Sequence, residues 1–471
     1  MLVLTTSLLT DRMLLYSGFF DRLTAESRVS VWASSRGVEE FHDLWSVVPA
    51  QVEPFPEVGP YRLLPHTYLR RLDDFVWDYR LKPVSRLSIQ RHIREKSQRA
   101  SVRALKIPAR LISHLGLAEP LERRVERVLL SSCRSSEAAH RLRTDMPDVV
   151  FTMGPFQYDQ PAVVVEARRL GIPVVAFVPS WDNITTKNRM IFRYDGYVVW
   201  SEQTRRELRD FYPASRGAPV DIVGASQFDV FFDRRFHRSR EEFCADQGLR
   251  LDRPIIVYAV GSPNLFKEHH GALDMAQRIE RGELGDVQMI IRPHPIHDDD
   301  QLRTLFAPYA PRVVIQRAPR PGSHVTERSQ DEQSIVEWVN TFRHADVVVN
   351  LSSTVTIDAA VCDKPVVNLD FDPEPGRPNQ RLVKDVNHCW DHFRPVAESG
   401  AIWLVDSPGE MVDAICTYLA RPELHSEERR KIAQYVCGHL DGRSGTRMAQ
   451  AILQHVTPAP APPRRRGPDA V

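Results

Sequence analysis

The stretch VVVNLSSTVTIDAAVCDKPVVNLDFD, residues 347–372, carries the reading of the fold. An apolar run stops at Asn350. Ser352, Ser353 and Thr354 then open a helical pattern, and a second apolar run follows at once. Strand, helix and strand in so few residues predict two parallel strands joined by a helical crossover. The junction holds three hydroxyls and no bulky side chain. A helix mouth presents backbone N–H groups without intrahelical partners, and with the helix dipole these favour an anion. The junction therefore reads as a phosphate site, with an ordinary Ser/Thr N-cap as the competing reading. One turn further on, Asp358 is placed either to accept hydrogen bonds from a ribose or to stand as a solvated acid.

Working outward, the same alternation runs along the chain. The first half reads as strands at LVLTTS, RVSVWAS, DVVFTM (148–153), IPVVAFVPS (172–180) and GYVVWS (196–201), with helical patterns at Gln160–Leu170 and Glu202–Phe211. PVDIVG (219–224) closes that half. A second series begins at RPIIVYAVGS (253–262) and continues through VQMIIRPHP (287–295), RVVIQRA (312–318), ADVVVNLSS (345–353), KPVVNLDF (364–371) and AIWLVDS (401–407). Two such runs predict an α/β chain of two Rossmann-like, doubly wound domains facing across a cleft. Residues 1–225 are expected to form an acceptor domain with a basic helical insertion at about 65–130. Residues 226–456 form the expected nucleotide-donor domain, closed by helices from Ser426 to Gln454, and 457–471 a disordered Pro/Arg tail. Ligands of open parallel sheets sit beyond the carboxyl ends of the strands, which places the site in the cleft.

A chain of 471 residues exceeds one ordinary core. Its 42% hydrophobic and 26% charged residues are those of a globular protein, and a net charge of +1 gives no whole-protein case for nucleic acid. The charge is unevenly placed. From Arg80 to Arg110 there are ten Lys or Arg against Glu95 alone, a local +9 that leaves −8 elsewhere (1 − 9). Six cysteines (133, 244, 362, 389, 416, 437) show no C-x-x-C spacing, which fits reduced thiols in a cytoplasmic protein. The opening MLVLTTSLLTDRMLLYSGFF has no basic leader and is broken by Asp11 and Arg12, so it reads as a buried strand, Leu2 to Ser7, rather than a signal peptide. No apolar run approaches membrane-spanning length.

Three further stretches carry candidate chemistry. In Ile291-Arg292-Pro293-His294-Pro295, two prolines stiffen the backbone around His294 at a strand's carboxyl end, where an imidazole can donate to phosphate or move a proton. Arg292 is a candidate for the same phosphates, and a turn-capping histidine is the plainer alternative. In Ser180-Trp181-Asp182-Asn183-Ile184-Thr185-Thr186-Lys187, Asp182 is a candidate base for an acceptor hydroxyl, and Trp181, Asn183 and Lys187 line the expected cleft; an Asx-capped turn competes. Gly261 and Ser262, after the first strand of the second half, offer close backbone approach to phosphate, and Gln157 and Tyr158 in GPFQY an acceptor wall. His297 to Asp300 reads as solvated acids rather than a metal cluster, and neither a metal nor a cofactor is expected.

Together SWDNITTK, IIRPHP, NLSSTVTIDAAVCDKPVVNLDFD and HLDGRSGTRMAQAI resemble GT-B fold bacterial glycosyltransferases of surface-polysaccharide assembly, near the CDP-glycerol glycerophosphotransferases. The resemblance spans roughly residues 145–455. It implies two Rossmann-like domains, a nucleotide donor on the second, metal-independent transfer, and donor-phosphate roles for His294 and Ser352–Thr354. The similar nucleotide-sugar 2-epimerases would place Asp358 on the ribose. The Trp-His-Gly-Thr-type stretch of the glycerophosphotransferases is missing, which puts glycerol phosphate in doubt as the transferred group and leaves Asp182 as base. The resulting expectation is a glycosyltransferase moving a sugar from a nucleotide-activated donor to a hydroxyl of a surface glycan or lipid-linked acceptor. A polyol-phosphate transferase, a nucleotide-sugar epimerase and a non-catalytic protein on the same fold are the alternatives.

The basic segment supplies one more expectation. Leu87, Ile89, Ile93, Val102, Leu105, Ile107 and Leu111 recur among its cations as an apolar stripe interrupted at Pro108. Such a segment either lies on the anionic inner face of a membrane or packs on the first domain as an ordinary amphipathic helix. Without interleaved aromatics it is not a nucleic-acid site.

Overall fold

The computed structural model describes residues 1–41, 43–56, 64–94, 98–132, 134–157, 160–190, 192–263, 265–294, 299–316 and 331–456. The first sheet contains β1 (Leu2–Thr5), β2 (Ser30–Ala33), β3 (Gln51–Pro54), β4 (Val150–Thr152), β5 (Val174–Phe177), β6 (Gly196–Val199) and β7 (Val220–Ile222). The second contains β8 (Ile255–Ala259), β9 (Gln288–Arg292), β10 (Val313–Ile315), β11 (Val347–Asn350), β12 (Val366–Leu369) and β13 (Trp403–Val405). Every pairing is parallel. The orders are β3-β2-β1-β4-β5-β6-β7 and β10-β9-β8-β11-β12-β13. Strands β8 and β11 are buried along their whole length, which is why they read as unbroken Val/Ile runs rather than alternating ones.

The expected α/β architecture is present, with differences in detail. Strand β3, QVEP, carries one apolar residue among polar ones and gives no strand signal, yet it completes the edge of the first sheet. Strand β1 ends at Thr5, because the Ser7 side chain accepts the Leu9 amide and caps the helix Leu8–Leu15. The expected closing helices, Ser426 to Gln454, divide at Gly438 (φ +74°) into Ser426–Cys437 and Ser444–Gln454. The second of these leaves the second unit and packs against Phe19–Thr24 of the first, with Gly445 directly on Ser17. The chain therefore passes between the units twice. The passages are tied together where Asp229 accepts the amides of Ser444 (3.1 Å) and Gly445 (2.8 Å).

Between β3 and β4 lies a helical insertion: Leu64–Leu81, Val84–Ile89, Ala100–Ala104, Lys106–His114 and Ala118–Ser132. It has its own small core of Phe75, Val76, Trp77, Ala109 and Ala118. The stripe is interrupted at Leu105, between Ala100–Ala104 and Lys106–His114, and Pro108 falls in the first turn of the second helix, where a missing N–H removes no intrahelical bond. Val102 and Leu105 pack on the insertion core, whereas Ile107 and Leu111 are exposed. The side chain of Ile93, and the 457–471 tail, lie outside the described residues. Among the described residues no helix is long and apolar enough to cross a membrane, and Cys244, Cys362, Cys389, Cys416 and Cys437 are free thiols.

Candidate functional site

In each sheet the strand order reverses direction once, between β1 and β4 in the first and between β8 and β11 in the second. Helices leave such a point towards opposite faces, opening a crevice beyond the carboxyl ends of the two strands. The second crevice lies between the residues after β8, Gly261 and Ser262, and those after β11, Leu351 to Thr354.

Glu268 spans that crevice from below. One carboxyl oxygen accepts the Gly261 amide (3.1 Å) and the other the Leu351 amide (3.2 Å). Burial pushes its carboxyl up to about 8, although both amides pull the other way. A Cβ at position 261 would collide with this carboxyl, so the close approach that Gly261 permits is to Glu268. Ser262 is half-buried at the rim, and its carbonyl starts the turn to Leu265 and Phe266.

Past β11, Ser352 adopts φ +48°, and its hydroxyl donates to Asn387. The Asn350 side chain accepts both the amide (3.1 Å) and the hydroxyl (3.4 Å) of Ser353, and Ser353 Oγ in turn accepts the Val355 amide. The helix that follows is short, Val355–Val361. Ser352, Ser353 and Thr354 are each half-buried, a hydroxyl-lined rim as the sequence suggests. Ser353 serves the turn as well as facing the crevice.

Asp358 is not solvated. It is 7% exposed and forms a cluster with Arg292, Arg12 of the first unit, and Trp338, whose indole N–H it accepts. Burial raises its carboxyl to about 7 against the pull of both arginines. Burial likewise lowers the Arg12 guanidinium to about 10. Arg12 lies over the Trp338 ring, and Arg292 donates to Gln316 (3.0 Å) beside the Phe342 ring. Arg292, expected as a direct phosphate ligand, is thus engaged with Gln316 and the carboxylates of Glu337 and Asp358. His294 is half-buried beyond β9, on the far side of β8 from the Ser352–Thr354 rim. Two strand spacings, roughly 10 Å, separate the two backbones. His297 and Asp298 lie outside the described residues.

In the first sheet the crevice is held by an amide and hydroxyl network. Gln157 accepts the Thr6 hydroxyl, and Gln160 donates to Thr6 (2.9 Å) while accepting from Thr152. Gln157 is therefore half-buried at the expected wall, and Tyr158 lies outside the described residues. The loop after β5 departs from expectation. Trp181 is 1% exposed, its ring edge-on to His392 (5.0 Å) and near Phe393 of the second unit. It is a packing residue between the units rather than an open acceptor surface. Asp182 accepts from Ser180 (2.5 Å), Asn183 (3.1 Å) and Thr186 (2.9 Å). Against the upward pull of burial, His392, Lys187 and those hydroxyls hold its carboxyl below the ordinary range. A carboxylate so satisfied is a weak base, which argues against the expected role. Asn183 is buried beside it, and only Lys187 of this loop is exposed.

Solved structures share this arrangement over nearly the whole chain. UDP-GlcNAc 2-epimerase from Neisseria meningitidis bound to UDP-GlcNAc superposes with a TM-score of 0.54 at 12% identity, covering 96% of this chain and 100% of its own. A putative UDP-N-acetylglucosamine 2-epimerase from Listeria monocytogenes gives 0.53 at 12%, covering 98% of each chain. A glycosyltransferase from Rickettsia africae gives 0.52 at 9%, covering 97% and 98%. The fold is GT-B. At these identities the likeness is one of fold. No protein-family model and no curated protein sequence matches the chain.

Three residues of the GT-B crevices escaped the sequence reading. Arg12 was visible only as an interruption of an apolar run, and Trp338 as one more apolar position of the helix Glu332–His344. Glu268 had a usable signal: an acid at the mouth of the helix His269–Glu280, directly after the loop that follows β8.

Proposed function

We propose that the chain binds a nucleotide-activated sugar beyond the carboxyl ends of β8 and β11 and moves the sugar to a hydroxyl of a glycan or lipid-linked acceptor held by the first unit. The observation that carries this reading is the cluster joining the units, in which Arg12 and Arg292 both face the carboxyl of Asp358, Arg292 also facing Glu337. Two guanidiniums held where the units meet, together with the hydroxyl rim of Ser352, Ser353 and Thr354 one turn before Asp358, suit a nucleoside diphosphate. Donors set in place before reaction stabilise that group as it leaves. In this reading the chain's own cations and amides neutralise the departing charge, and transfer is metal-independent. Ser262, Ser353 and Thr354 hold the phosphates. Asp358, in the arginine cluster, orients the arginines instead of reaching the ribose. His294 is assigned to proton transfer in place of Asp182, since imidazole titrates near neutrality. The Neisseria and Rickettsia proteins of the same fold, one bound to UDP-GlcNAc and one a glycosyltransferase, support a nucleotide sugar as donor.

A second reading, epimerisation of the nucleotide sugar itself, draws on Asp358, whose carboxyl near 7 is poised to exchange a proton. Thermal-shift measurements with UDP, GDP, CDP and CMP and their sugar conjugates test the site. One nucleotide class is expected to raise the melting temperature, because a ligand of the folded state stabilises it by mass action. The Ser353→Val, Thr354→Val double variant is expected to lose that response while keeping its own transition. No response to any nucleotide, or an undiminished one in the folded double variant, refutes the site. Conversion of the sugar at C2 without acceptor distinguishes the epimerase from the transferase.

A further inference from the structure

The helical insertion contains a second cavity, of about 360 Å³, remote in sequence from both crevices. Four cations line it: Lys82 just after Leu64–Leu81, Arg91 in the π-helical segment Gln90–Arg94 that continues Val84–Ile89, and Lys106 and Arg110 from one face of Lys106–His114. Aromatic rings support two of them, with Lys106 5.7 Å from the Phe75 ring and Arg110 5.2 Å from that of Tyr79. Among the described residues the only acid on the cavity wall is Asp78, already paired with Arg86 (3.0 Å) and accepting from Gln90 (3.2 Å). Lys82, Arg91 and Arg110 pair with no carboxylate among the described residues. Gln90 lines the same cavity at 6% exposure, and its Oε1 has no hydrogen-bond partner. A buried acceptor of this kind is costly unless something donates to it.

Beside these cations the same helix presents large apolar side chains to water. Ile107 is 77% exposed, Leu111 60% and Leu115 59%, one turn apart on a single face, with Arg103 alongside. Cations around a cavity and an adjoining bare aliphatic face match an anionic lipid bilayer: phosphate in the cavity, aliphatic side chains among the acyl chains.

We propose that this insertion docks the protein on an anionic membrane surface, seating a phosphate headgroup among Lys82, Arg91, Lys106 and Arg110, with a headgroup hydroxyl donating to Gln90. The proposal stands independently of the chemistry assigned to the cleft.

The test is co-sedimentation of the full chain with phosphatidylcholine vesicles, alone or with phosphatidylglycerol or phosphatidic acid at equal charge. Binding is expected to phosphatidylglycerol vesicles, weaker to phosphatidic acid and absent with phosphatidylcholine. Each cation near a surface contributes about fivefold in partitioning, so Arg91→Gln with Arg110→Gln is expected to weaken binding about twenty-five-fold. Ile107→Ser with Leu111→Ser is expected to weaken it at least tenfold and to remove the part that survives high salt. Both variants should keep the wild-type melting temperature and nucleotide response, which separates this surface from the cleft. Absent or charge-indifferent sedimentation at low salt, variants that bind as well as wild type, or equal binding to both anionic lipids would overturn the proposal. So would a concentration-dependent dimer abolished by the Ile107 and Leu111 changes, since a second copy would then cover the face.

Discussion

Arg12 lies with its guanidinium carbon 4.3 Å from the ring centre of Trp338, one residue from each unit. The contact forms where β1 feeds its helix towards the second sheet, so a cation of the first unit becomes part of the second unit's crevice. Arg12→Met keeps the stem but removes the charge, and donor affinity is expected to fall roughly tenfold to a hundredfold, the range for one charged hydrogen-bond partner. Arg12→Lys is expected to recover only part of it, because ammonium lacks the planar fork that stacks on indole. Calorimetric titration of the nucleotide found by thermal shift measures both.

Asp358 sets a pH dependence for the same binding. With its carboxyl near 7, the cluster of Arg12, Arg292, Glu337 and Asp358 is more positive below that pH than above it. Donor affinity is expected to decline between about pH 6 and 8, and Asp358→Asn to flatten that decline. A profile of equal slope in the variant would remove Asp358 from the site.

Glu268 affects stability rather than binding. Its carboxyl is raised from 4.5 to about 8 by burial. Below pH 4.5 folded and unfolded chains are both protonated; between 4.5 and about 8 only the folded chain keeps the proton, so stability falls as pH rises and levels off above 8. Glu268→Gln is expected to be less stable at low pH, having lost one acceptor, but to show a shallower slope across that interval. Denaturant titrations at pH 5, 6.5 and 8 read the slope directly.

Gly261→Ala tests the same bridge sterically. The added methyl meets the Glu268 carboxyl, and relieving that overlap is expected to cost about 1–3 kcal/mol. An unchanged melting temperature would mean that Glu268 is not held where it is described.

Trp181 connects the units through His392 and Phe393. Trp181→Ala is expected to cost about 3–5 kcal/mol in urea unfolding, whereas Trp181→Phe should retain most of the contact. A near-neutral Ala variant would point back to an exposed, ligand-facing tryptophan.

The sheets were legible because both faces of each strand are covered, so Val347–Asn350 and Ile255–Ala259 announce themselves as unbroken apolar runs. Strand β3 was not, since an edge strand with polar residues has no such run. The rim at Ser352–Thr354 was legible for a related reason: small hydroxylated residues at a strand-to-helix junction narrow the local geometry. What sequence spacing does not encode is which unit a side chain meets. Arg12 and Trp338 are 326 residues apart (338 − 12), and Trp181 and His392 are separated by 211 (392 − 181). Their roles follow from how the two sheets face each other, whereas the hydrogen bonds that satisfy Asp182 come from Ser180, Asn183 and Thr186 of its own loop.

The two passages of the chain between the units, pinned at Asp229, have a mechanical consequence. Bodies joined by a single thread can tumble freely, but two threads fastened side by side define a pin. The two units are therefore expected to move most easily by rotation about the line through Asp229 and Ser444, since sliding or twisting would strain both threads at once. A swing about that pin would separate residues that meet across the units, Arg12 from Trp338 and Trp181 from His392. The same motion would thus assemble or dismantle the cluster of Arg12, Arg292 and Asp358.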